Sequence, residues 1–266
     1  MEIQNIDELL PTIENPSLPV CENILAPKHP FRLLVIGASG SGKSNCVMNL
    51  ITNYLNFDRI IFYARDTSED KYQYLMSFFE EIEQQIYEKS LKRYNKMKPE
   101  NRPKEEPKLF KIAEFYENPN PEDIISSNDL NPDIRNCIVF DDFVSSGKSA
   151  HKPIIDLFIR SRKRNCSVIY ISQSFYSIPK DIRLNASHMI LFNVTSKREL
   201  LEIQKTLAYR VDKDTFLELF RCINNEPYQF MYIDAAAKDL SMHIRKNFDG
   251  LMNIGACVKS GIIKNK

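Results

Sequence analysis

No stretch of this 266-residue sequence reaches the roughly 18 uninterrupted apolar residues that a membrane-spanning helix requires, so no bilayer span is expected. The amino terminus, Met1-Glu2-Ile3-Gln4-Asn5, lacks the basic-then-apolar order of a secretory signal, which makes the cytosol the expected compartment. Net charge is also nearly absent: 36 Lys and Arg stand against 35 Asp and Glu, a balance of +1. A globally basic, nucleic-acid-coating surface is therefore excluded, and any contact with DNA must come from a local patch. The six cysteines (Cys21, Cys46, Cys137, Cys166, Cys222 and Cys257) form no C-x-x-C pair, which points to free, mostly buried thiols. The four histidines (His29, His151, His188 and His243) show no metal-ligand spacing and are expected in structural or surface positions. There is no internal repeat.

Glycine is scarce, with only seven residues, yet three of them fall within six positions, in Gly37-Ala38-Ser39-Gly40-Ser41-Gly42-Lys43-Ser44. This is the spacing G-x-x-x-x-G-K-[ST] of a phosphate-binding loop. The apolar run Leu33-Leu34-Val35-Ile36 precedes it and a helix-compatible stretch, Asn45 to Leu55, follows. Strand, glycine loop and helix form the context in which backbone N–H groups and a helix amino terminus can cradle an anionic phosphate. Residues Gly37 to Asn45 are thus the expected nucleotide-binding segment. Lys43 would reach the β- and γ-phosphates and Ser44 would ligate Mg²⁺.

At 266 residues, one large domain or one domain with appendages is expected, and an apolar fraction of 43% can supply a sizeable core. Residues 1–29, interrupted by Pro11, Pro16 and Pro19, read as an arm lying over the domain, and the core is expected to start at His29-Pro30-Phe31-Arg32. Short apolar or β-branched runs at 59–63, 137–140, 167–171, 188–192 and 228–233 predict strands. Helical periodicity marks 69–89, about 152–163, and two helices within 197–222. Strands alternating with helices imply an α/β fold with a mostly parallel sheet flanked by helices. Tyr228, Phe230 and Tyr232 alternate as in a strand, which predicts packing rather than base stacking. Residues 89–108 carry Lys89, Lys92, Arg93, Lys96, Lys98, Arg102, Lys104 and Lys108 against Glu100, Glu105 and Glu106, with prolines at 99, 103 and 107. They read as a basic, mobile insertion, either a solvated loop or a flexible phosphate-contacting segment. Residues 234–266 read as a weakly structured basic tail.

Phe140-Asp141-Asp142 ends an apolar strand with two carboxylates. In open α/β sheets, ligands sit at the carboxyl ends of the strands. There Asp141 can complete a Mg²⁺ shell with Ser44, and Asp142 can orient or deprotonate the water that attacks the γ-phosphate. A solvated Asp-Asp turn would have no such neighbour as the glycine loop. Tyr170-Ile171-Ser172-Gln173-Ser174 ends a buried strand in an amide. If that strand lies beside the phosphate-loop strand, Gln173 reaches the γ-phosphate and senses hydrolysis; otherwise it merely starts a loop. Arg160, Arg162, Lys163 and Arg164 are either an exposed helix end favoured by the helix dipole or the source of an arginine that completes a neighbouring subunit's site. Arg183 is a second such arginine or a surface residue.

Together these segments resemble the poxvirus-type DNA-packaging ATPases of large eukaryotic DNA viruses, a family within the FtsK–HerA superfamily of DNA pumps. The resemblance is carried by Pro30-Phe31-Arg32, Gly37 to Ser44, Ile138-Val139-Phe140-Asp141-Asp142, Arg162-Lys163, Ser167 to Ser174, Ile178-Pro179 and Arg183-Leu184-Asn185, and covers roughly residues 29–195. Two positions depart from the wider pattern. Asp142 stands where the wider superfamily usually has Glu, but the poxvirus-like branch also tends to Asp there, which favours that branch; Lys163 stands where a His usually follows the arginine.

The resemblance implies a P-loop NTPase of the RecA-like (ASCE) type over residues 30–233, using ATP and Mg²⁺. It implies a homo-oligomeric ring, a pentamer or hexamer, that pumps double-stranded DNA without regard to sequence into a preformed capsid at its portal vertex. Such a protein would reside in host-cytoplasm viral factories and in the virion. Lys43, Asp142, Gln173, Arg162 and Arg183 would be its catalytic residues. Other readings are a DNA helicase or conjugation-type pump, a capsid assembly protein that binds nucleotide without turnover, and a small-molecule phosphotransferase. The last would need an arginine-rich lid that the lysine-rich 89–108 segment does not resemble.

Overall fold

A computed structural model describes residues 26–143, 151–248 and 250–251. The expected arm is therefore outside the described residues except for its last few positions, as are Cys21, Cys257 and the end of the expected tail.

Among the described residues, nine strands form one sheet: β1 (Arg32–Ile36), β2 (Arg59–Ala64), β3 (Ala113–Glu117), β4 (Asn136–Asp141), β5 (Cys166–Ser172), β6 (His188–Leu191), β7 (Met231–Asp234), β8 (Ile244–Lys246) and β9 (Gly250–Leu251). Their spatial order is β3-β2-β4-β5-β1-β6-β7-β8-β9. The six from β3 to β6 are parallel, and β7 to β9 add an antiparallel edge. The helices are α1 (Lys43–Asn53), α2 (Asp70–Lys96), α3 (His151–Arg160), α4 (Lys180–Asn185), α5 (Lys197–Thr206) and α6 (Lys213–Ile223).

The continuous apolar runs in the central strands follow from burial on both faces. In β1, Leu34 and Ile36 point to a core built with Ile154, Leu157 and Phe158 of α3, Leu200 and Ile203 of α5, and Phe216 and Phe220 of α6. Leu33 and Val35 point to the opposite core, with Val47, Leu50 and Ile51 of α1 and Tyr72, Leu75 and Phe79 of α2. The chain leaves β1, builds β2 and β3 far to one side, returns through β4 and β5, and then crosses to β6 on the other side of β1. That reversal beside β1 opens a crevice at the carboxyl ends of β1, β4 and β5.

Several expectations need correction. Helix α2 does not stop at 89 but runs to Lys96, because the first proline is Pro99 and the intervening Lys, Leu, Arg and Tyr are compatible with a helix. Arg93 and Lys96 complement the negative end of its dipole. Arg102 donates to the carbonyls of Met97 and Asn95 at that end and stacks over the Tyr94 ring, 5.4 Å from its centroid. The expected insertion is thus in part a helix terminus with its own cap. Strand β3 was not foreseen. It is an edge strand, fastened to α2 by the buried Glu83, whose carboxylate accepts from the backbone N–H groups of Ile112 and Ala113 at 2.6 and 3.1 Å. The sheet also extends past residue 233, since β8 and β9 occupy positions assigned to the tail. Finally, β7 starts at Met231 rather than at 228.

The described cysteines, Cys46, Cys137, Cys166 and Cys222, form no disulfide with one another. Burial raises the Cys46 thiol to about 12 and pushes those of Cys137 and Cys166 up as well. His29 bonds the Ser167 hydroxyl at 2.7 Å and the Asn165 amide oxygen at 2.8 Å, which ties the chain ahead of β1 to β5. No helix among the described residues is long and apolar enough to cross a membrane.

Candidate functional site

The loop between β1 and α1 is shaped by its glycines. Gly40 and Gly42 adopt φ of 73° and 96°, the left-handed region that side chains rarely enter. Gly37 is held by close approach: a Cβ there would lie 2.6 Å from Cβ of Phe192. The backbone N–H of Gly37 donates to the carbonyl of Ser172, so the loop springs from the same level at which β5 ends. Ser41 Oγ is buried inside the loop without a hydrogen-bond partner among the described residues.

This loop forms one wall of a cavity of about 530 Å³. Ser39, Gly40, Gly42, Lys43, Ser44 and Asn45 line it from the loop and the start of α1, and Asp141, Asp142 and Gln173 line it from β4 and β5. Gly37, Ala38 and Ser41 belong to the loop but not to the cavity wall. Because β5 lies between β4 and β1, the first residue beyond β5, Gln173, stands between the loop and the Asp pair. The condition attached to Gln173 in the sequence, adjacency of its strand to β1, is met.

Asp141 Oδ2 accepts two hydroxyl protons, from Ser44 at 2.8 Å and from Tyr72 at 2.6 Å. Asp142 follows on left-handed backbone, φ 60°, a conformation that Asp and Asn tolerate better than most residues. It re-aims the chain at the strand end so that the two successive carboxylates both face the cavity. Lys43 folds back over the loop, donating to the carbonyl of Ala38 at 2.8 Å. Burial holds its ammonium below the usual lysine value. Asp141 and Asp142 oppose that shift, and Lys71 adds to it.

Ser44 Oγ and Asp141 Oδ2 are hard oxygen donors side by side at the cavity wall, which suits Mg²⁺. Among the described residues there is no cluster of three or more His, Cys, Asp or Glu placed to hold a metal. A two-donor site is what Mg²⁺ ordinarily uses when phosphate oxygens and water fill the remaining positions.

Two sequence-predicted arginines are not brought to this cavity. Arg162 lies in the 3₁₀ turn Ser161–Arg164, ahead of the amino end of β5 and exposed. Seven strand residues separate it from Gln173, on the order of 20 Å at the usual rise per residue. Its charge is felt instead by the half-buried Arg32 at the start of β1, which is lowered first by burial and then by Arg162. Arg183, on α4, is half-buried with its guanidinium 4.9 Å from the centre of the Phe175 ring.

The loop after β2 and the start of α2 add Arg65, Asp66, Glu69, Lys71 and Tyr72 to the lining, none of which motif spacing indicated. Tyr72 is 2% exposed. Burial first, then the Asp141 carboxylate, push its hydroxyl well above the ordinary tyrosine range, so it stays a donor. In the sequence it reads as one more apolar residue in the α2 stripe. Tyr72→Phe removes one of the two protons that orient Asp141. Outer contacts of this kind are worth about 10–100-fold in metal affinity or activity. If the cavity takes a nucleotide with Mg²⁺, the Mg²⁺ concentration for half-maximal nucleotide binding should rise at least about tenfold, the low end of that range, as a Mg²⁺ titration would show. An unchanged titration would mean that Ser44 alone orients the carboxylate.

The sheet order, the glycine loop at the end of β1 and the carboxylate at the end of β4 together define the mostly parallel P-loop NTPase fold. Neither a protein-family model nor a curated protein matches the sequence. Solved structures do match the fold. The DNA-packaging ATPase B204 from Sulfolobus Turreted Icosahedral Virus superposes with a TM-score of 0.53 at 15% identity, over 83% of this chain and 98% of that one. The genome packaging NTPase B204 from Sulfolobus turreted icosahedral virus 2, in complex with AMP, superposes with a TM-score of 0.50 at 11% identity, again over 83% and 98%.

Proposed function

We propose that this protein is a Mg²⁺-dependent ATPase that drives double-stranded DNA through a homo-oligomeric ring, packaging a viral genome into a preformed capsid. The observation that carries this reading is the convergence in one cavity of Lys43, the Ser44–Asp141 pair, Asp142 and Gln173. The shared fold with proteins described as genome-packaging enzymes is consistent with it.

Each residue has a task set by its place. Backbone N–H groups of the loop and the amino end of α1 receive the phosphates. Lys43, held below its ordinary value by burial, gains by exchanging the Ala38 carbonyl for phosphate oxygens. Mg²⁺, when bound with ATP, would neutralise charge developing on the phosphate oxygens; Ser44 and Asp141 are the residues that would hold it. Asp142 accepts the proton of the attacking water, and Gln173 hydrogen-bonds the γ-phosphate or the water. Arg162, exposed and far from its own cavity, serves the cavity of an adjacent subunit. The exposed Lys92, Arg93 and Lys96 at the far end of α2 form the local basic patch that a chain of net charge +1 needs for DNA backbone contact. The place of action is then the host cytoplasm and the virion, at the capsid portal.

The test is ATP turnover by the full chain with and without duplex DNA, together with its mass in solution. DNA-stimulated, salt-sensitive turnover by an assembled ring is expected. A protein that hydrolyses ATP at one rate regardless of DNA and stays monomeric contradicts the proposal.

A further inference from the structure

Tyr228 has none of the surroundings of its alternating partners. Phe230 and Tyr232 are buried, whereas Tyr228 is 73% exposed and lies ahead of β7. Its backbone is left-handed, φ 62°, where a bulky residue is uncommon. The segment is pinned from below: Phe230 packs on Phe192 and Phe248 with ring centroids at 5.3 and 5.0 Å, and its N–H donates to Asn247 Oδ1 at 3.1 Å. The Tyr228 ring therefore stands on a fixed base, and it lines the cavity. Its Cδ1 lies only 3.3 Å from where a Cβ on Gly42 would be, so the ring packs against the phosphate loop itself.

The sheet order says which end of a nucleotide meets this ring. Asp141, Asp142 and Gln173 approach the loop from β4 and β5, on one side of β1. Tyr228 approaches from β7, beyond β6 on the other side. If the γ-phosphate faces the carboxylates, the nucleoside emerges toward Tyr228. We infer that Tyr228 is the nucleobase platform, stacking its ring on the base of the bound nucleoside triphosphate. This inference rests on the nucleotide-site reading above and extends it to the base. Stacking uses the π-face that every base has, so the site would separate a nucleotide from inorganic triphosphate more strongly than adenine from guanine.

Two variants test it. The chain contains no tryptophan, so Tyr228→Trp places the sole indole at the platform. Its fluorescence should be quenched by ATP and by GTP but not by tripolyphosphate. Tyr228→Ala should weaken ATP binding about tenfold or more, the usual value of a base–aromatic stack, and leave tripolyphosphate binding unchanged. Equal ATP affinity in wild type and Tyr228→Ala, parallel losses for both ligands, or an indole indifferent to ATP would overturn the inference. Wild-type protein that binds tripolyphosphate and ATP equally would overturn it while leaving the phosphate site standing. Wild-type protein that binds neither would remove the nucleotide-site reading and this one with it.

Discussion

Asp142→Asn should cut ATP turnover by about 10²–10⁴-fold, the range for loss of a positioned general base, and leave ATP affinity nearly unchanged. The substitution is chosen for its backbone. Position 142 has φ 60°, and Asn accepts the left-handed region as readily as Asp, so the strand end and the Ser44–Asp141 contact persist. Only the oxygen proposed to accept the water's proton is lost. An alanine at the same position would mix chemistry with strain and could not be read cleanly. Single-turnover hydrolysis alongside nucleotide binding checks the expectation. Wild-type turnover in Asp142→Asn would move the base elsewhere, and lost binding would make Asp142 a ligand-site residue rather than a base.

Arg162→Ala should lower DNA-stimulated turnover by about 10³–10⁵-fold, as loss of an arginine finger does, although Arg162 is nowhere near the cavity of its own chain. The geometry makes the result unusually diagnostic. A residue on the order of 20 Å from its own Gln173 can affect chemistry only through a neighbour or through the fold. Mixing Arg162→Ala with Lys43→Ala separates these routes. In a ring with head-to-tail contacts, an intact Lys43 on the arginine variant meets an intact Arg162 on the lysine variant. About a quarter of the sites in a randomly mixed ring are then complete. Recovery of turnover on mixing identifies a finger supplied in trans, and no recovery rules it out. Arg183→Ala is the useful control. Its guanidinium is committed to the Phe175 ring, so its effect should run through local packing and show no recovery on mixing.

Features that depend on neighbours in the chain were legible in the sequence. The glycine loop, the apolar runs of β1, β2, β4, β5 and β6, and the Asp-Asp step at the end of β4 each carry their own signal, because strands buried on both faces read as uninterrupted apolar runs. Adjacency of β5 to β1 could only be posed as a condition, since strand order is a property of crossovers. The short strands β3 and β8 carry charged residues, such as Glu114, Arg245 and Lys246, that mask a strand pattern, and β9 is only two residues long. The extent of α2 was misread because a run of lysines and arginines resembles a loop by charge while remaining compatible with a helix. Tyr72 and Tyr228 escaped for opposite reasons. Tyr72 fits a helical apolar stripe, and its hydroxyl contact with Asp141 spans 69 positions of sequence. Tyr228 fits a strand alternation that in fact begins three residues later.

Coupling of ATP turnover to movement along DNA is most directly measured by displacement of a third strand from a triplex at the end of a linear duplex. Wild-type protein with ATP and Mg²⁺ should displace the strand at a rate that falls with added salt, whereas Asp142→Asn, or wild type with a nonhydrolysable analogue, should leave it bound. ATP hydrolysis that proceeds at full rate on the same duplex while the third strand stays in place would contradict the proposal.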